Sequence, residues 1–500
     1  MQASRVSTPL RFAPGGLCKT REVSVMSGSV NPLRQFSKPA YNPARIWYPA
    51  WIRAGVTMTK TLIKNVDVIT LDDAGTVLRN SHVAIDGKTI VAVGEAPLGF
   101  APDEVIEGYN RHVALPGFFN AHCHAAMTYE RGWAEDLSFP RWLNEKIWVA
   151  ESALKPDDVY WGAALAACEM IRGGVVAFND HYFYMDRVAE VVEQSWLKAG
   201  LTWCVFGIGD DQEIGANLDG TLAFVDRWRG RADGRLQLLL GPHSPYVCPP
   251  DFLRRVARAA AERGLTVHIH LAESQAQVDN SLKTHGQTPV AHLESLGVFD
   301  GHCIVAHCLV ASDEDLEILV RRKVTVVHTP ITYMKLAIGR IPDLSRYTAR
   351  GVNLAIGTDG PASNADMDML AAIRQTVIFQ KYEQQNPEAL PGDTALRMAS
   401  PNGARAMGFP GSGVLAPGRA ADLILIDMDK PHLLPRHNLV ANVVHSAKAA
   451  DVTHVMVDGR LLYRDGELLT LDEARVKAEA ERGAFRLVSR DMHSVREYRG

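Results

Sequence analysis

The spacing of apolar residues along the chain changes period twice. From Met58, "TLIKNVDVITLDDAGTVLRNSHVAIDGKTIVAVG" alternates apolar and polar positions, with turn signals at Asp-Asp-Ala-Gly and Asp-Gly. This is the pattern of short strands joined by tight turns. Near the other end, "ADLILIDM" and "VTHVMVDGRLLYRDGEL" have the same texture. The two flanks therefore predict strands that pair into one small β-sandwich around a central insertion. Inside the insertion, short apolar runs (VVAFND, LTWCVFGI, LQLLLGPH, LTVHIHLAE, CIVAHC, VTVVHTP, VNLAIGTDG) alternate with helix-period segments such as "DDVYWGAALAACEMIRGG" and "PPDFLRRVARAAAERG". Uniformly apolar strands separated by helices belong to parallel sheets covered on both faces. With "LPGFFNAHCHA" as the first unit, the series predicts an α/β fold, a (β/α)8 TIM-type barrel.

The pattern divides the chain as follows. Residues 1–57 form an extension, 58–114 and 411–470 the β-sandwich, 115–410 the catalytic barrel, and 471–500 a C-terminal helix and tail. The extension carries Arg5, Arg11, Arg21, Arg34, Arg45 and Arg53 against one acid, Glu22, and lacks a long apolar core. An Arg-rich, acid-poor start imitates an organellar leader. The plainer expectation is a disordered segment, or sequence upstream of a true start at Met58. Net charge is −4 over 500 residues, which gives no electrostatic case for nucleic acid or a membrane surface. No apolar run approaches the roughly 18 residues of a membrane-spanning helix. The seven scattered cysteines contain no Cys-x-x-Cys pair, which favours reduced thiols in a cytoplasmic protein over a zinc finger or disulfide scaffold. Homo-oligomers are the common case for such enzymes.

Polar residues gather at the C-terminal ends of the predicted strands: His122 and His124, Asp180 and His181, His243, His270, His307, His328 and Asp359. Active sites of barrels form at that rim. Residues two apart on a strand share a face, so His122 and His124 project together while Cys123 points away. Two imidazoles with a further nitrogen and a carboxylate suit a divalent cation such as zinc. The further donors available are His268 or His270 (the latter nearer its strand's end), His307 and Asp359. A binuclear site would need a bridging group such as a carbamylated lysine ending the fourth strand. Between residues 171 and 267 the one lysine is Lys198, in the helix-like "SWLKAG", so a mononuclear site is expected.

The segments "PGFFNAHCHAAMTYERGWAEDLSFPRWLNEKIW", "GPHSPYVC", "HIHLAES", "AHC", "GTDGPASNADMDM" and "GVLAPGRAADLILID" resemble the amidohydrolase superfamily. Within it they are most similar to the S-adenosylhomocysteine/5′-methylthioadenosine deaminase branch and its triazine-hydrolysing neighbours. The resemblance covers about 58–470. It implies one divalent metal per subunit, zinc first with iron or manganese as alternatives, held by His122, His124, His270 and Asp359. It makes His307 a neighbour of the metal's water, Asp359 a proton acceptor as well as a ligand, and Glu273 the proton shuttle. It further implies substrate contacts from Trp142, Glu151, His243 and Ser363. The reaction implied is hydrolytic deamination of an aminated heterocycle, such as the adenine ring of 5′-methylthioadenosine or S-adenosylhomocysteine, with release of ammonia. The unrelated cytidine-type zinc deaminases carry His-x-Glu and Pro-Cys-x-x-Cys, and neither occurs here.

The match departs from the family in three places. The family's Asn-Pro-x-Ser-Asn-x-Lys-Leu run is His328-Thr-Pro-Ile-Thr-Tyr-Met-Lys-Leu336, which puts Tyr333 in place of a smaller polar residue. Where the family has "DMYF", this chain has Asp180-His181-Tyr-Phe, so His181 joins the candidate substrate contacts. The third-strand region "LTWCVFGIGDD" has no arginine, the residue whose fork best pairs with a carboxylate. A neutral 5′-thioether nucleoside thus fits better than the amino-acid tail of S-adenosylhomocysteine. The alternatives are a hydrolase releasing chloride or an alkylamine from a triazine, a deaminase of pterin, guanine or aminotriazine, and a metal-free scaffold.

Overall fold

The structure is a computed structural model and describes residues 59–207, 217–339 and 341–489. The N-terminal extension, the segment 208–216 that carries Asp210 and Asp211, and the tail beyond 489 lie outside the described residues. Strands β1 (Lys60–Ile69), β2 (Val77–Asp86) and β3 (Thr89–Gly94) form an antiparallel meander. β4 (Glu104–Glu107) and β5 (His112–Pro116) run parallel to β1. The eight barrel strands follow: β6 (Phe118–Cys123), β7 (Val175–Tyr182), β8 (Lys198–Val205), β9 (Leu236–Pro242), β10 (Thr266–Leu271), β11 (Cys303–His307), β12 (Thr325–His328) and β13 (Asn353–Ile356). All neighbouring pairs are parallel and in sequence order. The chain then returns as β14 (Leu423–Asp427), β15 (Val452–Val457), β16 (Arg460–Arg464) and β17 (Glu467–Leu468).

β14 pairs antiparallel with β5, so the two distant flanks make one nine-stranded sheet. Leu115 and Pro116, at the start of the predicted barrel, belong to this sheet. The sheet folds back on itself: Ile90 N donates to Arg419 O at 2.9 Å, and Ala421 N to Lys88 O at 2.8 Å. Ile63, Val83, Ile85, Leu423, Leu425 and Met456, drawn from both flanks, pack into its core.

Every residue of β7, β8 and β11 is buried, inside by other barrel strands and outside by helices such as Pro156–Arg172. This is why these runs show no alternation. The barrel closes between β6 and β13. Asp359 N donates to His122 O at 3.0 Å. Thr358 N donates to Asn120 Oδ1 at 2.9 Å, and Asn120 Nδ2 returns a bond to Thr358 Oγ1 at 2.7 Å. Gly357 makes this approach possible, since a Cβ there would lie 2.6 Å from His122 O and 2.8 Å from His122 N.

Lys198 corrects one expectation. It does not sit in a helix but opens β8. The helix Met185–Ser195 stops at the first residue of "SWLKAG", because Trp196 takes a left-handed φ of 67° and the strand begins two residues later. The buried Nζ lies 2.5 Å from Asp422 Oδ2 and 2.7 Å from Asp458 Oδ1, fastening the N-terminal end of the barrel to the flank sheet. Burial pulls the ammonium's pKa down, but the two carboxylates outweigh it and the net shift is upward.

Two predictions follow from these contacts. Lys198→Met leaves the buried Asp422 and the part-buried Asp458 without their cation and lowers stability by ~3–5 kcal/mol in urea titration. Gly357→Ala forces the seam apart, costs ~1–3 kcal/mol, and weakens divalent-metal binding in the same preparation. Full metal retention with unchanged stability would show that the seam tolerates a side chain.

Candidate functional site

His122 is the fifth residue of β6, and His124 follows its end, so both face the barrel axis. His270 lies near the end of β10, His307 ends β11, and Asp359 comes three residues after β13. Asp359 and His307 have φ of 67° and 75°. This strained backbone turns each strand end back over the axis, as is common at functional sites. His124 Nε2 is 3.3 Å from Asp359 Oδ1 and 3.4 Å from His270 Nε2, and His122 Nε2 is 4.0 Å from Asp359 Oδ1.

The other nitrogen of each ring is tied back. His124 Nδ1 lies 2.6 Å from His181 O, and His270 Nδ1 lies 2.8 Å from His243 O. Carbonyls only accept, so both Nδ1 atoms carry the proton and both Nε2 atoms are bare. His122 Nδ1 meets His268 Nε2 at 3.0 Å, while its own Nε2 is buried without a hydrogen-bond partner. Burial, with the neighbouring imidazoles, lowers the pKa of His122 and His270 and keeps both neutral. Ligand atoms of His122, His124 and His270 lie within 4.8 Å of one another, and so do those of His122, His307 and Asp359. Zinc–nitrogen bonds of about 2.0–2.1 Å place tetrahedral ligands about 3.4 Å apart, close to the spacings seen here. The residues present fit a single divalent cation.

Glu273 sits beside this cluster, its Oε1 3.7 Å from His307 Nε2. Tyr246 donates its hydroxyl to Oε1 at 3.3 Å, and Gln277 Nε2 donates to Oε2 at 3.5 Å. Burial raises the carboxyl's pKa, which favours the protonated form. His307 Nδ1 lies 3.1 Å from Thr329 Oγ1. An open cavity lies above these groups. All the residues predicted to touch substrate line it: Trp142, Glu151, His181, His243 and Ser363. Trp142 is on a π-helical turn, Trp142–Ile147, and Phe139 stacks on it at 6.0 Å. Glu151 is buried in the wall, and that burial raises its pKa to about 8. Tyr333 also lines the cavity; its hydroxyl accepts from Thr329 N at 2.9 Å and so is anchored to the seventh strand's end. His328, by contrast, is buried beside Tyr333 and does not line the cavity.

The sequence reading passed over several lining groups. Trp148, Phe206 and Tyr246 form much of the wall, yet they are single aromatics on loops and short turns with no periodic signal. Tyr246 lies in "GPHSPY", and its proximity to a strand end was the available cue. Among the described lining residues there is no Lys or Arg. Cys123 is fully buried, its Sγ 4.0 Å from Asp180 Oδ1, and burial raises its thiol pKa well above the usual range.

His124→Ala removes a converging nitrogen and is expected to lose bound metal by elemental analysis, whereas Cys123→Ala keeps it. Equal metal content in the two variants would count against this ligand geometry.

The chain matches the Amidohydrolase family over residues 113–462. A 5-methylthioadenosine/S-adenosylhomocysteine deaminase of Pelotomaculum thermopropionicum is 41% identical over 437 residues, covering 87% of this chain and 100% of that protein. A 5′-deoxyadenosine deaminase of Methanosarcina acetivorans is 41% identical over 87% of this chain and 99% of its own length. Among solved structures, an adenosine deaminase from Xanthomonas campestris with bound zinc superposes with a TM-score of 0.82 at 32% identity, covering 86% of this chain and 98% of that one. An atrazine chlorohydrolase from Arthrobacter aurescens, also with zinc, shares the fold with a TM-score of 0.78 at 24% identity, over 85% and 100% of the two chains. With these matches and the cluster at its barrel rim, the chain belongs to the amidohydrolase family.

Proposed function

We propose that the protein is a metal-dependent hydrolytic deaminase of an adenine nucleoside with an uncharged 5′ substituent, releasing ammonia. The observation that carries this reading is Glu273, a buried carboxylic acid held beside the converging imidazoles at the floor of an aromatic cavity. Expulsion of an amine requires a proton donor at that place, whereas chloride leaves without one. The kinship with deaminases of adenine nucleosides supports the same choice. His122, His124, His270 and Asp359 would hold the cation, with zinc preferred and iron or manganese also suited to the donor set. Bound there, a divalent cation supplies a water acidic enough to ionise near neutral pH.

The chain's own groups do the remaining work. Asp359 accepts the proton of the attacking water. Glu273 delivers a proton to the ring nitrogen next to the attacked carbon and regains one from the added hydroxyl as the carbonyl forms; that group and the proton held on Asp359 together supply the proton with which the amine departs. His307 donates a hydrogen bond to the oxygen that adds, with Thr329 holding its ring. Trp142 and Phe206 pack on the heterocycle, and Glu151 accepts hydrogen bonds from sugar hydroxyls. The aromatic walls exclude water while the proton moves.

The lining also supports the uncharged 5′ group, since a carboxylate tail would find no cation among the described lining residues. The six described cysteines are buried thiols, which fits a cytoplasmic protein. No described helix is long and apolar enough to cross a membrane.

The test is an ammonia-release screen over adenosine, 5′-deoxyadenosine, 5′-methylthioadenosine, S-adenosylhomocysteine, guanine, pterins and aminotriazines. Turnover is expected on the purine nucleosides, and highest with the thioether. Silence on all of them would overturn the proposal, and turnover of chlorotriazines alone would establish the alternative. Glu273→Gln keeps the metal but loses ~10²–10⁴-fold in kcat. Loss of metal in that variant would give Glu273 a different role.

A further inference from the structure

Three histidines converge on the candidate metal point, and two of them have their tautomer set by a backbone carbonyl. The third, His122, faces another imidazole. His268 Nε2 lies 3.0 Å from His122 Nδ1, and both rings are completely buried. Two ring nitrogens at this distance hold one proton between them, and an imidazole ligates a cation only in its neutral form.

The two placements of that proton have opposite consequences. If His268 donates, the proton of His122 lies on Nε2 and occupies the position a cation needs. If His122 donates, its Nε2 is bare, and the remaining proton of His268 must sit on Nδ1. That proton then requires an acceptor. Thr202 Oγ1 lies 3.5 Å from His268 Nδ1, and the side-chain amide of Asn179 lies 3.0 Å from it. The amide turns Nδ2 toward the ring and also donates to Ala121 O at 3.1 Å, while its buried Oδ1 has no partner. A half-turn of the amide brings that oxygen against His268 Nδ1 and gives the ring its acceptor, at the cost of the bond to Ala121, whose carbonyl the oxygen then faces, and of leaving Nδ2 in the place where Oδ1 had no partner.

We propose that His268 is a positioning residue that holds His122 in its ligating tautomer, with Asn179 and Thr202 as the acceptors that fix His268 in turn. Sequence spacing alone makes His268 a rival ligand of His270, because the two share a face of β10. The geometry gives them different work. His270 sends Nε2 to the metal point, and His268, one pleat earlier, stands behind His122. Partners that orient a ligating imidazole commonly contribute about 10- to 100-fold to metal affinity. The inference rests on the proposed ligation by His122.

Zinc affinity of the whole chain, measured by competition with a chromogenic chelator, tests it without reference to turnover. His268→Phe fills the space but offers no acceptor, and is expected to bind zinc about 10- to 100-fold more weakly. His268→Gln places a carbonyl oxygen near the lost Nε2 and is expected to recover most of that affinity. Circular dichroism and the melting point of the metal-free protein establish that each variant is folded. Wild-type affinity in folded His268→Phe, or an equal loss in the Phe and Gln variants, would overturn the proposal. If His268→Phe does not fold, the near-isosteric Thr202→Val decides. A several-fold weaker affinity supports the proposal, and an unchanged one overturns it. If wild-type protein itself binds no divalent metal, it is the underlying ligation that fails, and the two failures are told apart.

Discussion

Where β6 meets β13, the last strand of the barrel is drawn against the first by backbone and side-chain bonds around Asn120, His122, Thr358 and Asp359. Those residues are also chemistry. The peptide that closes the barrel carries the carboxylate of the candidate metal site, and the carbonyl that accepts its N–H belongs to one of the imidazoles. Closure and site assembly are therefore one event. Gly357 and Gly360 flank the aspartate because any side chain there would strike His122 or the pair His124 and Met127. The positive φ of Asp359 is the conformational cost of the arrangement, and a close-packed interior with few voids leaves the site little freedom to move.

Burial lowers the pKa of His122, His124, His268 and His270 beside this seam. Imidazoles crowded into a low-dielectric floor stay neutral, and neutral imidazole is the ligating form. The same burial pushes carboxyl groups the other way, raising the pKa of Glu273 and of Glu151 in the wall. Bases that bind a cation and acids that give up a proton thus arise in one pocket from a single physical cause, acting on groups of opposite charge type.

Much of this was legible in the linear chain. Uniformly apolar runs predicted the eight barrel strands, and alternation predicted the flanks. His122, His124, His270, His307 and Asp359 stood at strand ends, where a barrel gathers its active groups. Lys198 was misread because "SWLKAG" has helix-like composition, while a left-handed Trp196 ends the helix and leaves only Leu197 before the strand. Tyr246 and Phe206 were passed over because single aromatics on irregular segments leave no periodic trace, and Trp148 because it opens a helix of only four residues.

The sequence by itself determined the architecture, the rim on which the chemistry sits, and the residue types available there. These depend on side-chain period and turn chemistry, which are properties of neighbours in the chain. Tertiary structure decided which nitrogen of each histidine faces the common point, and that His268 backs His122 rather than competing with His270. It also turned Tyr333 and Tyr246 into cavity wall and placed Lys198 at the far end of the barrel. The reason is geometric: ring orientation depends on which carbonyl, hydroxyl or amide lies within 3.5 Å, and those partners come from strands tens to hundreds of residues away.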